Sequence, residues 1–229
     1  MKAVALFLVF LSIFVLGCTG AGEISRVDEE RQFSPKMLAP GDAITIVRLT
    51  GIGEGMLECI DSAIRDALPE VHVISPADFR DSMFPWFEPN NAPGDTESLS
   101  KLMHLPIVKQ RIDVLRVRYV VTISGATHTQ TDGWGGVVGG PHAAVIITGV
   151  ETEESITLNA SILDLRKIQS VADIEVTAEG SGGMGLIVVI PYVFIPASAT
   201  IACEAIAERV VAYVTGEPQA PPGGGLHAD

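Results

Sequence analysis

Side chains able to do chemistry are few in this chain and poorly arranged for it. The five histidines, His72, His104, His128, His142 and His227, include no pair at i, i+4 and no His-Glu-x-x-His array, so no local metal-ligand set forms. His128 and His142 flank a Gly-rich segment and could meet across a strand pair, which supplies two ligands at most. Ser124 precedes Gly125, but position 122 is Thr122 and not the glycine of a nucleophile elbow. Residues 51–55 (GIGEG) follow a strand-like run and open a helix-like one, the context in which backbone N–H groups hold an anion. They lack the third glycine at dinucleotide spacing, and no Walker lysine follows. Residues 133–140 (GWGGVVGG) and 180–185 (GSGGMG) read as tight turns, and carboxylate pairs such as Asp78 and Asp81 or Glu153 and Glu154 as a solvated acidic surface. The chain is therefore expected to be non-enzymatic, with no metal and no dissociable cofactor. What remains is the chemistry of three thiols, Cys18, Cys59 and Cys203.

Cys18 stands at the end of a short export-type segment. Lys2 provides a positive start, residues 3–16 (AVALFLVFLSIFVL) an uninterrupted apolar or small run, and Gly17-Cys18 follow at once. The run is shorter than the ~20 residues of a spanning helix and has the build of a secretory signal. Its end, Val15-Leu16-Gly17-Cys18, resembles the bacterial lipobox. That resemblance implies cleavage before Cys18, with a diacylglycerol on its thiol and an acyl group on its new amino terminus. Thr19, in place of an aspartate at the next position, favours the outer membrane.

With Cys18 acylated, Cys59 and Cys203 are the two thiols left in an oxidising compartment, and they are expected to pair. The alternative is two separately buried free cysteines, because spacing alone does not test whether their Cα atoms lie within bridging reach. The chain from Cys18 onward keeps all 28 acidic residues and 14 basic ones, for a formal charge of −14. Such a field excludes nucleic acid as a partner and repels anionic lipid, which leaves the acyl chains to hold the protein at a membrane.

Residues 1–17 are thus read as signal peptide, 18–41 as the lipidated cysteine and a flexible linker, 42–216 as one domain and 217–229 as a disordered Pro/Gly-rich tail. The domain opens β-α-β: a strand over 43–49, a helix over 54–68 with Met56, Leu57, Ile60, Ala63, Ile64 and Ala67 on one stripe, and a strand over 70–74. Helical periods follow over 76–83, 96–104 and 107–117, introduced by Ser75, a Pro/Asn/Gly loop and Pro106. The period then becomes two, and the segments 119–125, 143–150, 155–165 and 171–179 read as an antiparallel meander. A helix over 199–215, closed by Gly216, completes an α/β (α+β) fold with a mixed sheet packed against helices.

Taken in order, RYVVTISG, the strand ending ASILDLRK, VTAEGSG and the closing CEAIAERVVAYVTG resemble the small domain of outer-membrane lipoproteins of the curli-secretion-channel, penicillin-binding-protein-activator and flagellar-assembly types. The resemblance spans about residues 42–216 and implies a domain that works by protein contacts. Residues 184–195 (MGLIVVIPYVFI) carry no charge. They admit three readings: a core segment, a protein interface, or a membrane-facing loop like the hairpins that the curli-channel type inserts through this region. Neither 133–150 nor 182–195 clearly supplies two alternating strands of the ~10 residues that a barrel needs. The leading expectation is a lipid-anchored outer-membrane protein facing the periplasm, a binding or assembly module for an envelope protein complex, of unspecified oligomeric state. The runner-up is an oligomeric secretion-channel subunit. Expected contact residues are Trp86, Phe87, Trp134, Val188, Ile190, Tyr192 and Phe194.

Overall fold

The computed structural model describes residues 21–35, 37–88, 91–140, 143–187, 190–194 and 197–217, with the backbone alone over the strand residues within 136–148 and 184–194. Seven strands form one mixed sheet, β1 Ala21–Arg31, β2 Ala43–Arg48, β3 His72–Ile74, β4 Val117–Gly140, β5 Ala143–Asp164, β6 Gln169–Ile187 and β7 Ile190–Phe194. The order across the sheet is β1-β6-β5-β4-β2-β3, and β7 pairs with β6.

Local chemistry fixes most of the elements. β2 (AITIVR) is β-branched and buried along nearly its whole length, as a strand covered on both faces must be, and it pairs in parallel with both β3 and β4. Helix α1 (Glu54–Ala67) turns Leu57, Ile60 and Ile64 inward. Helix α2 (Pro76–Ser82) is capped by Ser75, whose hydroxyl accepts from the Asp78 N–H at 3.0 Å; α3 (Thr96–Met103) is capped by Asp95, which accepts from the Ser98 N–H at 2.7 Å. Those bonds from Ser98 hold the Asp95 carboxyl below its ordinary pKa. Helix α4 (Pro106–Leu115) follows, and α5 (Ser198–Thr215) ends at Gly216 with φ +77°.

The sheet separates two cores. On one face α1 and α5 pack with Ile44, Ile46, Tyr119, Val121, Leu158, Ile174 and Val176; on the other α2, α3 and α4 pack with Ala43, Val47, Val120 and Leu163. A disulfide from Cys59 in α1 to Cys203 in α5, with Cα atoms 6.2 Å apart, ties the first layer together. Arg118 donates to Asp164 at 2.8 Å with both side chains about 5% exposed, and Arg166 donates twice to Asp42, so ion pairs lock the lower ends of β2, β4 and β5. Gly51 (φ +79°) lies so close to β4 that a Cβ there would sit 1.7 Å from the Gly125 carbonyl oxygen.

Three sequence expectations are corrected. Residues 21–31 are not linker: β1 pairs with β6 from Ala21↔Ser181 to Arg31↔Ala172, and Glu29 is 1% exposed beside Arg31 and Arg209. Its charges and glycines mask a strand because an edge strand is specified by its neighbour's ladder more than by its own apolar pattern. The segments 143–150 and 155–165 are one continuous strand, β5. The glycines of 133–140 and 180–185 lie within β4 and β6 and not in turns, since paired flanking strands override the local weakness of glycine.

Two outcomes are expected. Replacing Cys59 and Cys203 together by alanine frees a loop of 144 residues and lowers unfolding stability by ~2–5 kcal/mol, read by urea titration under oxidising conditions. Burial, then the neighbouring Tyr119 and Asp164, push the Tyr213 phenol up to about 12. The folded chain keeps this proton above pH 10 while the unfolded chain, with an ordinary phenol near ~10, releases it. Stability should hold below pH ~10 and fall between pH ~10 and 12, and Tyr213→Phe should remove that part of the alkaline loss.

Candidate membrane-facing hairpins

The part of the molecule without helical cover is the upper end of the sheet. β2 accompanies β4 only as far as Ile123, and one more bond, Gly125 N–H to the Thr50 carbonyl at 3.0 Å, ends the contact. From residue 126 onward β4 continues to Gly140, about 50 Å at ~3.4 Å per residue. β5 stays in register with it from Gly140↔Ala143 downward. β6 climbs beside β5 to Ile147↔Ile187, and β7 folds back on β6 from Ile187↔Ile190 to Gly183↔Phe194. Two hairpins, β4–β5 and β6–β7, therefore stand as a four-stranded sheet above the α/β body.

Charge divides this sheet sharply. Asp132 and Glu151 are direct cross-strand partners; residues 133–150 above them contain no Asp, Glu, Lys or Arg, nor does the stretch 180–203 that holds the upper part of β6, β7 and the start of α5. Immediately below lies an acidic zone: a cavity of about 400 Å³ is lined by Glu23, Glu153, Glu154 and Glu179 with His128 and Gln130. Glu154 accepts a bond from Ser198 in the first turn of α5, where a helix N-terminus favours a carboxylate.

The sequence-derived site residues separate accordingly. Trp134 is 43% exposed and lies at the charge boundary. Its ring covers Gly149 across the ladder, where a Cβ would come within 2.6 Å of Cζ2. Ile190, Tyr192 and Phe194 fall on β7, in the upper sheet. Residues 184–195 are thus largely hairpin strand. Cys18 and Val188 lie outside the described residues. Phe87 is corrected: it is 6% exposed, set edge-on against Phe79 at 5.3 Å in the second core, because the turn that follows α2 folds back over β2. Trp86 is half-buried with the Arg111 guanidinium 5.4 Å from its ring centre. These two aromatics do not join Trp134 in one surface. His128 lies on β4 and His142 outside the described residues, and among the described residues no group of three His, Cys, Asp or Glu is placed to hold a metal. No described helix is long and apolar enough to cross a membrane.

What sequence reading missed is the strand length. The signal available was the absence of charge over 133–150 together with 180–203, two uncharged segments each long enough for a hairpin.

No family model and no curated protein matches the chain. Among solved structures it is similar to a PelC L103M dodecamer from Paraburkholderia phytofirmans, with 14% identity, TM-score 0.35, and coverage of 85% of this chain and 100% of that one. It is also similar to Lipoprotein GNA1162 from Neisseria meningitidis, with 11% identity, TM-score 0.31, and coverage of 74% and 97%. A third is a neuraminyllactose-binding hemagglutinin homolog from Helicobacter pylori, with 12% identity, TM-score 0.28, and coverage of 79% and 82%. Likenesses this distant carry no argument about the present chain.

The Trp134–Gly149 contact yields a prediction. In a Trp86→Phe background, which leaves Trp134 as the sole tryptophan, Gly149→Ala should lift the indole off the strand and shift its emission toward that of a water-exposed ring. Unchanged emission would show that the ring does not rest on Gly149.

Proposed function

We propose that the protein is a lipid-anchored envelope protein whose two hairpins enter a bilayer as a four-strand portion of an oligomeric channel, the second of the two readings drawn from the sequence. The observation that supports it is the pair of charge-free hairpins with free outer edges. Residues 133–140 extend about 27 Å along the strand, which at a tilt of ~40° projects to about 21 Å, near the ~25 Å apolar band of outer-membrane barrels. Four strands cannot close a barrel on themselves, and an open sheet edge in hydrocarbon leaves backbone N–H and C=O groups without partners at several kcal/mol each. Copies arranged head to tail satisfy every such edge, provided that the rotation closes a ring.

The anchor supports the same orientation. Ala21 pairs with Ser181, so the first described residue of β1 stands at the level at which β6 loses its charges, and in the sequence only two residues separate it from Cys18. Acyl chains on Cys18 would enter the bilayer where the hairpins do, with the acidic zone just outside it. Trp134 would then sit at the interface favoured by aromatic side chains. The outer membrane, with the α/β body facing the periplasm, is the location this reading takes from the lipobox resemblance and Thr19. The assembly-module reading keeps one observation of its own: Phe84, Ile107 and Val114 are 57%, 56% and 78% exposed on and beside α4, a surface able to receive a protein partner.

The test uses full-length acylated protein carrying Trp86→Phe in vesicles with brominated acyl chains, alongside its mass in mild detergent. The channel reading expects Trp134 to be quenched, more by shallow than by deep bromines, and a species of many copies. An unquenched Trp134 in a monomeric protein would overturn it and leave the assembly module.

A further inference from the structure

β6 has two edges, and β5 occupies one of them entirely. The other is shared end to end by two strands: β1 covers residues 172–181 and β7 covers 183–187, with Gly182 alone between them. Both run antiparallel to β6, so together they make a composite edge with one direction. β4 is two antiparallel steps from β6 and runs parallel to it, so β4 of another copy would meet that composite edge antiparallel. Levels agree as well. Ala21, Ser181, Glu153 and Gln130 lie on one row across the sheet, and Glu23, Glu179, Ser155 and His128 on another two rows below. The free edge of β4 begins just below these rows, where Gly125 makes its last bond to the β2 side.

β1 itself is divided. Below the irregularity between Ile24 and Arg26 it carries the exposed Arg26, Asp28 and Glu30, the charges and bulge by which sheets refuse a further strand. Above it, residues 21–24 (AGEI) carry one charge, and among the described residues no strand pairs with their outer side. From these observations we infer that residues 21–24 of β1 and β7 together form one continuous docking edge for β4 of an adjacent copy. The segment directly after the acylated cysteine thereby becomes part of the seam between copies. This rests on the channel reading. It extends the inter-copy ladder below the uncharged zone, into the acidic layer, and couples lipidation to assembly by holding the docking strand at the membrane surface.

Cysteine pairs test the seam in full-length acylated protein in mild detergent, under mild oxidation, on non-reducing denaturing gels. Glu23→Cys is combined in turn with Ala126→Cys, His128→Cys, Gln130→Cys and Asp132→Cys to cover a stagger between copies. Within one chain positions 23 and 128 are three ladder steps apart, about 14 Å, beyond the ~7 Å limit for a disulfide, so any bond formed joins two copies. One combination should give a ladder of linked multimers, while each single variant gives none beyond a dimer. Tyr192→Cys combined with Asp132→Cys, Trp134→Cys or Gly136→Cys probes the hairpin seam separately. Ladders from the Tyr192 set with none from the Glu23 set would overturn the part assigned to β1 and leave the channel reading intact. No ladder from either set would overturn both.

Discussion

The constraint on which this structure depends is the lateral satisfaction of the backbone in β4, β5 and β6. Above Gly125 these strands leave β2 behind and, among the described residues, take their ladder hydrogen bonds from one another, from residues 21–26 of β1 and from β7. Among the described residues two edges have no partner strand, β4 on one side and the β1–β7 line on the other. In water such edges are solvated at little cost, whereas in hydrocarbon they are not tolerated. On the channel reading proposed above, the last hydrogen bonds of this uncharged sheet come from neighbouring copies.

The α/β body serves as the mount for that sheet. Helices α1 and α5, cross-linked through Cys59 and Cys203, grip the central strands from one face, and α2 to α4 grip β2 and β4 from the other. At the lower end Arg118–Asp164 and Arg166–Asp42 fix the strands relative to each other. The buried Arg118–Asp164 pair adds less net stability than its geometry suggests, but removing one partner leaves a costly lone charge, so it holds register. The close approach of Gly51 to Gly125 marks the level at which β4 parts from β2 and continues alone.

Charge then sorts the molecule along its length. The acidic zone formed by Glu23, Glu153, Glu154 and Glu179 meets the uncharged hairpins within one or two residues, and Trp134 stands at that step. Because β1 is in the sheet and not a tether, its amino-terminal end is held at the same level. A flexible stalk would leave this end of the chain unplaced; a paired strand holds Ala21 level with the bases of the hairpins.

The sequence alone determined whatever rests on local chemistry. Ser75, Pro106 and Gly216 bound helices through the backbone groups that they cap or lack. The 3.6-residue stripe of Leu57, Ile60 and Ile64 gives the buried face of α1, and β-branched residues 43–48 give a covered strand. The pairing of Cys59 with Cys203 was legible by elimination, once Cys18 was assigned to lipid. Tertiary structure decided the lengths of β4, β5 and β6, the capture of residues 21–31 as an edge strand and the burial of Phe87. In each case the deciding energy comes from a neighbour distant in sequence. A glycine run takes strand form when paired on its flanks, a charged segment when one edge of β6 is open to it, and an aromatic turn sinks when β2 offers it a core. Local pattern carries no record of such partners, so the uncharged hairpins became visible only when the chain was folded.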